Sequence, residues 1–359
     1  LPNCKVGTLS GQAGGSCTGA GTYEIPIEVP PGSAGMQPAL SLAYNSQAGN
    51  GLLGMGWSIN GLSAITRCAA NMALDGYKGR INYDENDKFC LDGQRLVPIT
   101  AIGGGVREYR TEPETFTRIK SYGTTLTGAG YFTAEAKSGL ITEYGNTPDS
   151  KIEAVVEGVG PTTGVVRVWA ANKLSNRSGS YIEYAYNEDT TASSTGEYSP
   201  AEIRYTGNAS TTPATEPYNF VKFEYQPRNL DDAPPFYQGG SVVRVTKVLS
   251  TIKTCLSTDC TMGTSGTLVQ QYNLRYQQNL ATRRYQLSSV KKCDSSGTIN
   301  CLPETVMTWS DQGVTSLAGN TTSGSGGTRE WNSANFMGSD TSFQKSEAPL
   351  LFALGRDVA

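Results

Sequence analysis

The chain has 359 residues, with 29 Lys and Arg against 32 Asp and Glu, 42 Gly and 17 Pro. So many helix breakers argue against a helical bundle or coiled coil, and a near-neutral charge without a basic block argues against nucleic-acid binding. No apolar run is long enough to cross a membrane as a helix, and Gly lacks the every-third-residue period of collagen.

In chain order, residues 1–22 are rich in Gly and Ser and read as a flexible arm stapled by Cys4–Cys17. Tyr23–Val29 alternates strictly and reads as a strand; Pro30-Pro31-Gly32 is a turn, and Leu40–Tyr44 is a second strand. Asn45–Gly56 is a Gly-rich loop, after which Trp57–Ile59 and Ala64–Arg67 resume the strands. Short strands then recur at Phe89–Leu91, Arg95–Pro98, Phe116–Lys120, Tyr131–Ala134, Leu140–Tyr144, Val165–Trp169 and Tyr181–Tyr186. The series continues with Glu202–Tyr205, Phe220–Tyr225, Val242–Val248, Leu249–Thr254, Leu268–Tyr276, Leu287–Lys292 and Glu304–Trp309. This density of strands and turns predicts an all-β fold of antiparallel hairpins. Residues 311–345 read as a Gly/Ser/Thr-rich linker or loop.

An internal repeat supports hairpins as the unit. Leu249-Ser-Thr-Ile-Lys-Thr-Cys255 and Leu287-Ser-Ser-Val-Lys-Lys-Cys293 match at a spacing of 38, each with a second cysteine, Cys260 or Cys301, across its turn. One hairpin cannot bury a face alone, so stacked copies predict a continuous curved sheet, wall or barrel. The eight cysteines fall into neighbours. Cys4–Cys17, Cys68–Cys90, Cys255–Cys260 and Cys293–Cys301 is the simplest of the many connectivities available. Disulfides imply an oxidising compartment, so the chain is expected to be secreted or on the cell surface; no signal peptide precedes Leu1, so it either follows a removed signal or belongs to an exported protein.

The chain has no His, which removes the commonest general base, Ser-His-Asp triads and the usual zinc ligands. Several clusters remain. The Gly49–Gly56 loop lacks the Gly-Lys-Ser/Thr of a phosphate-binding loop and reads as tight turns packed against Trp57. Asp84-Glu85-Asn86-Asp87 lacks the glycine and distal glutamate of a calcium loop and reads as a solvated turn. Asp231-Asp232 is a paired-carboxylate candidate in a loop, where Arg228 is expected to bond Asp231. The tyrosines offer either cross-strand packing or a sugar platform. Asn176, Asn208 and Asn320 are glycosylation sequons. No metal or cofactor is expected.

One block is specific enough to name a family. Pro26-x-x-x-Pro30-x-Gly32 … Gly35-x-x-Pro38-x-Leu40-Ser41-Leu42-x-Tyr44-Asn45-Ser46 … Gly54-x-Gly56-Trp57-Ser58 … Ile65-x-Arg67 resembles the SpvB/TcB-type N-terminal region of the RHS/YD-repeat toxin superfamily. Lys88–Val97, Lys173–Gly179, Glu202–Asn208 and Thr246–Ile252 extend the resemblance over roughly residues 23–310. The local cysteine pairs are not a general feature of that family. Leu350–Ala359 resembles the opening of the propeller-like repeats that often follow.

The resemblance implies a non-catalytic β-shell domain over 23–310 that protects or delivers a downstream toxin cargo. Residues 346–359 would begin a following propeller-like region. Its partners would be downstream RHS or propeller regions, the cargo and a translocation component. Pro38, Tyr44, Gly54, Gly56 and Trp57 are the expected structural determinants. The alternative from a different class is an extracellular adhesion or carbohydrate-binding module.

Overall fold

The computed structural model describes residues 8–309, apart from 85, 124–129, 192, 257–259, 261–266 and 298. Cys4, Glu85, Asn320, the 311–345 stretch and the 346–359 segment lie outside the described residues.

Among the described residues, twenty-four strands follow one another. They are β1 (Gln12–Gly15), β2 (Gly21–Ile27), β3 (Leu40–Asn45), β4 (Asn50–Gly51), β5 (Gly54–Met55), β6 (Trp57–Asn60), β7 (Ala64–Cys68) and β8 (Lys88–Leu91). Next come β9 (Gln94–Gly103), β10 (Val106–Thr111), β11 (Arg118–Tyr122), β12 (Tyr131–Glu135), β13 (Ile141–Tyr144), β14 (Lys151–Val156), β15 (Gly160–Ser175) and β16 (Ser180–Glu188). The last are β17 (Tyr198–Asn208), β18 (Asn219–Pro227), β19 (Phe236–Gln238), β20 (Ser241–Val243), β21 (Lys247–Leu256), β22 (Thr267–Gln278), β23 (Tyr285–Cys293) and β24 (Thr305–Val306). One helical turn, α1 (Met72–Asp75), is capped by the Asn71 side chain.

Strands β7 to β13 form an antiparallel meander, each paired with the next. The 16-residue β15 closes it into a barrel, pairing with β7 through Val168–Ala170 and with β13 through Ala171–Ser175. An eight-stranded barrel leaves an interior just wide enough for side chains. Here Ile65, Leu96, Tyr109, Ile119, Phe132 and Trp169 fill it. Phe89, Phe132 and Trp169 meet at centroid separations of 5.2–5.5 Å, all edge to face. This is a packed core, not a pore.

The far end of β15 also pairs with β16, which starts an open sheet in the order β16-β17-β18-β21-β22-β23-β24. Alternation explains β17 and β18. Ile203 and Tyr205 of β17, and Val221 and Phe223 of β18, face the core, while Glu202, Arg204 and Lys222 form ion pairs on the opposite face. A second sheet, β1-β2-β3-β6, covers the apolar face with Ile25, Ile27, Leu40, Leu42 and Trp57. The result is a sandwich joined edgewise to a barrel through one shared strand.

Three expectations change. The arm before β2 holds a strand, β1, paired to β2 from Gln12↔Glu24 to Gly15↔Gly21. The strands expected over Val242–Val248 and Leu249–Thr254 divide elsewhere. β21 runs unbroken over Lys247–Leu256 because a bulge at Ser250 absorbs the irregularity and lets Leu249 and Ile252, three residues apart, both face inward. β24 spans only two residues of the strand expected over Glu304–Trp309.

The structure forms Cys68–Cys90, Cys255–Cys260 and Cys293–Cys301. Cys255–Cys260 packs with Phe220 and Leu268. Cys17 is exposed and has no disulfide partner among the described residues, since Cys4 lies outside them. Each bridge closing a short loop contributes roughly 2–3 kcal/mol by constraining the unfolded chain. Reduction should therefore lower the melting temperature clearly, read by circular dichroism with and without dithiothreitol; an unchanged melting temperature would contradict the pairing.

Candidate functional site

The Gly-rich loop folds into the β4–β5 mini-hairpin, with Asn50 opposite Met55 and Gly51 opposite Gly54. Its tip residue Leu53 is buried at 1% exposure, and the Leu249 amide of β21 donates to the Leu52 carbonyl at 2.9 Å. Two glycines are obligatory. Gly54 has φ 79°, and a Cβ there would lie 2.5 Å from the Tyr285 carbonyl oxygen of β23. Gly56 has φ 76°, and a Cβ there would lie 2.5 Å from the Tyr44 ring. Trp57 packs against Tyr44 at 5.4 Å and edge-on against Tyr23 at 6.3 Å. Trp309 closes the cluster, edge-on to Tyr44 at 5.8 Å, with its indole N–H donated to the Leu287 carbonyl. Of the residues singled out in the sequence, Tyr44, Gly54, Gly56 and Trp57 thus come together, and Pro38 is buried two residues before β3.

Beneath the hairpin lies an ion pair that sequence reasoning placed one residue off. Arg228 meets Asp232 at 3.1 Å, with both side chains at 1% exposure or less, and Asp231 is exposed. The cause is a 3₁₀ turn over Leu230–Asp232, capped by Asn229, which turns consecutive carboxylates in different directions. Arg228 also donates to the Gly51 carbonyl. Asn50 donates to the Asp232 backbone and carboxylate oxygens at 3.1 and 3.0 Å, and Arg284 donates to the Asp232 carbonyl at 3.1 Å. Burial pushes the Asp232 carboxyl up, and the Arg228 charge opposes that shift. Asp231-Asp232 is therefore not a carboxylate pair facing one substrate.

The acidic turn differs in the same way. Asp87 is buried, pairs with Arg67 at 2.8 Å, and accepts the Asn82 and Tyr83 amides at 2.8 Å each. The Arg67 guanidinium lies over the Tyr83, Phe89 and Trp169 rings. Arg95–Asp75, at 2.6 Å, is a further pair the sequence did not reveal. Among the described residues no group of three or more His, Cys, Asp and Glu is placed to hold a metal.

Several of the tyrosines belong to the core, while Tyr77, Tyr218 and Tyr237 are exposed. Tyr205 and Tyr272 are fully buried, and Tyr225 and Tyr276 pack against the same core. Burial raises the Tyr272 phenol to about 12. Tyr205 donates to the Pro30 carbonyl and Tyr272 accepts the Glu28 amide, so these hydroxyls fasten the N-terminal turn to the large sheet. Asn176 and Asn208 cap turns, accepting the Ser178 and Ser210 amides respectively.

Residues 15–213 match the SpvB family, described as Salmonella virulence plasmid 65kDa B protein. The chain belongs to this family. Mono(ADP-ribosyl)transferase SpvB of Salmonella typhimurium is 24% identical over 273 residues, covering 64% of this chain and 43% of the relative; the Salmonella dublin protein matches equally. The chain thus spans less than half the length of these curated relatives. In fold it resembles the crystal structure of TcdB2-TccC3, with a TM-score of 0.63 at 20% identity over 84% of this chain and 17% of that one. The N-terminal domain of effector protein SpvB from Salmonella typhimurium strain LT2 gives 0.57 at 19% identity, over 75% of this chain and 99% of that one. The Photorhabdus luminescens Tc holotoxin pore gives 0.62 at 20%, over 85% and 17%.

Two predictions follow from the buried charges. Asp232→Asn leaves Arg228 a buried cation without its carboxylate and should cost about 3–5 kcal/mol in urea unfolding; Asp231→Asn should leave stability essentially unchanged, and equal effects would contradict the assignment. Glu188, whose carboxyl accepts the Glu153 amide, is raised from 4.5 to about 7, mainly by burial. The folded state then holds this proton more tightly than the unfolded state, so stability falls as pH rises from about 4.5 to about 7. Glu188→Gln should match the parent protein at pH 4 and melt higher at pH 8; equal melting at pH 8 would contradict this.

Proposed function

We propose that this chain is a non-catalytic scaffold module of a secreted or surface toxin protein, forming part of a β-shell that protects or delivers a cargo. In this reading residues 23–310 form the shell domain, 311–345 a linker and 346–359 the start of a propeller-like region. The single observation that carries it is the fold: a barrel filled by its own side chains shares β15 with a long hairpin sheet, and the chain resembles in fold a part of the much larger TcdB2-TccC3 chain. Continuous hydrogen-bonded sheet, three disulfides and buried ion pairs suit a rigid wall. The disulfides also suit an extracytoplasmic setting.

The ADP-ribosyltransferase named in the relatives belongs to proteins more than twice this span, and the matched solved SpvB structure is an N-terminal domain. We assign no transferase activity to this module. Its partners in this reading are downstream shell and propeller regions and a toxin component, by analogy with the TcdB2–TccC3 pairing. Tyr205, Tyr225, Tyr272 and Tyr276, which an adhesion module would need on an exposed sugar platform, pack instead in or against the core.

The test is the intact mass of the native polypeptide carrying this sequence, with NAD-glycohydrolase and ADP-ribosyl-transfer assays on the isolated chain. The reading predicts a mass well above 38.2 kDa and no turnover. A native mass near 38.2 kDa, or NAD turnover, would contradict it.

A further inference from the structure

Strand β6 ends the N-terminal sheet, and its outer edge has no strand partner among the described residues. A groove of about 410 Å³ is lined by Trp57, Ser58 and Ile59 of this strand, by Leu62 beyond it, and by Tyr198 and Pro200 of β17 opposite. Its surface is mainly apolar. A second hollow of about 320 Å³ adjoins it, with Asn50, Phe236 and Val245 lining both.

Two groups along this surface lack partners. Trp57 is 4% exposed, yet its indole N–H has no acceptor; the Asn50 side-chain oxygen is buried without a donor. Leaving buried polar atoms unpaired is costly, and both atoms mark the wall behind the groove as short of hydrogen-bond partners.

Charge fixes a direction along the groove. In the second hollow Arg228 and Arg284 share the single carboxylate of Asp232, so the lining carries one surplus positive charge. Arg284 is the accessible one, its side chain 32% exposed. Glu197, the nearby acid that acts on Arg228, is occupied by the Thr246 hydroxyl and the Lys247 amide and does not line the hollow. Asp92, which lines the groove but not the second hollow, is satisfied by the Ser63 hydroxyl and the Ala64 amide. The potential thus rises from the Asp92 carboxylate in the groove lining to the Arg284 guanidinium in the adjoining hollow.

We propose that this groove binds an extended segment of a partner polypeptide, laid alongside β6, with apolar side chains in the groove and an acidic side chain at Arg284. Four residues of β6 at about 3.3 Å each leave room for a segment of about four or five residues. The main-chain groups supply affinity, the apolar walls select alternate side chains, and Arg284 sets polarity. The inference does not rest on the shell reading, since it concerns only this edge.

Fluorescence anisotropy tests it with the full 359-residue chain and three fluorescein-labelled peptides: Thr-Val-Thr-Phe-Glu-Asp, the same with Gln-Asn at its end, and the same with Lys-Lys. The acidic peptide should bind at least tenfold tighter than the neutral one, and the basic one weakest. Arg284→Gln should abolish that ranking. Placing Pro at the central Thr of the acidic probe, which leaves the protein untouched, should weaken binding at least tenfold by removing a main-chain donor. Equal binding of the three peptides, no binding, indifference to the Pro, or displacement of the probe by dodecanoate at equal concentration would each overturn the proposal, the last by showing a small amphiphile as the occupant.

Discussion

The seating of the Gly49–Gly56 hairpin on the large sheet is the constraint on which the rest depends. Leu53 is driven inward by burial worth about 1.5–3 kcal/mol, and it brings the half-buried Asn50 and Gly51 polar groups against the buried Arg228–Asp232 pair. Those groups survive there because Arg228 and Asp232 receive them. The pair in turn is tolerable only because the hairpin covers it, since an isolated buried charge is far more costly than a paired one. Gly54 lets the hairpin approach the β23 backbone, and Gly56 lets the chain turn into Trp57, which pins the covering sheet. Each part makes the next affordable in free energy, so removing any one should loosen the others.

A second constraint is the double use of β15. One half closes the barrel with β7 and β13, and the same strand passes its register to β16. The aromatic interior of the barrel fixes the position of Trp169 on β15, next to the Arg67 guanidinium. Packing in the barrel is thereby transmitted along one strand into the open sheet.

Much of this was legible in the sequence where the signal is local. Alternation in Glu202–Tyr205 and Phe220–Tyr225 gave the open sheet, neighbouring cysteines gave the three observed bridges, and the Gly/Pro/Trp block pointed to the family. The rest was hidden for physical reasons. β10, Val-Arg-Glu-Tyr-Arg-Thr, has only Tyr109 in the barrel core while Glu108 pairs with Arg110 and Arg118, so charges mask its alternation. Barrel closure depends on pairing between Ala64 and Ala170, more than a hundred positions apart, which no local pattern encodes. Asp87 and Asp232 look like surface acids until long-range partners draw them inside, and the choice of Asp232 over Asp231 is decided by a single 3₁₀ turn.

The most direct measurement is native-state hydrogen exchange at the Leu249 amide, which donates to Leu52 across the seated hairpin. The account predicts that this amide exchanges only through global unfolding, with the same free energy as the Val290 amide in β23. Exchange through a low-energy local opening, while β22 and β23 stay protected, would show the hairpin to be a loose flap and contradict its central role.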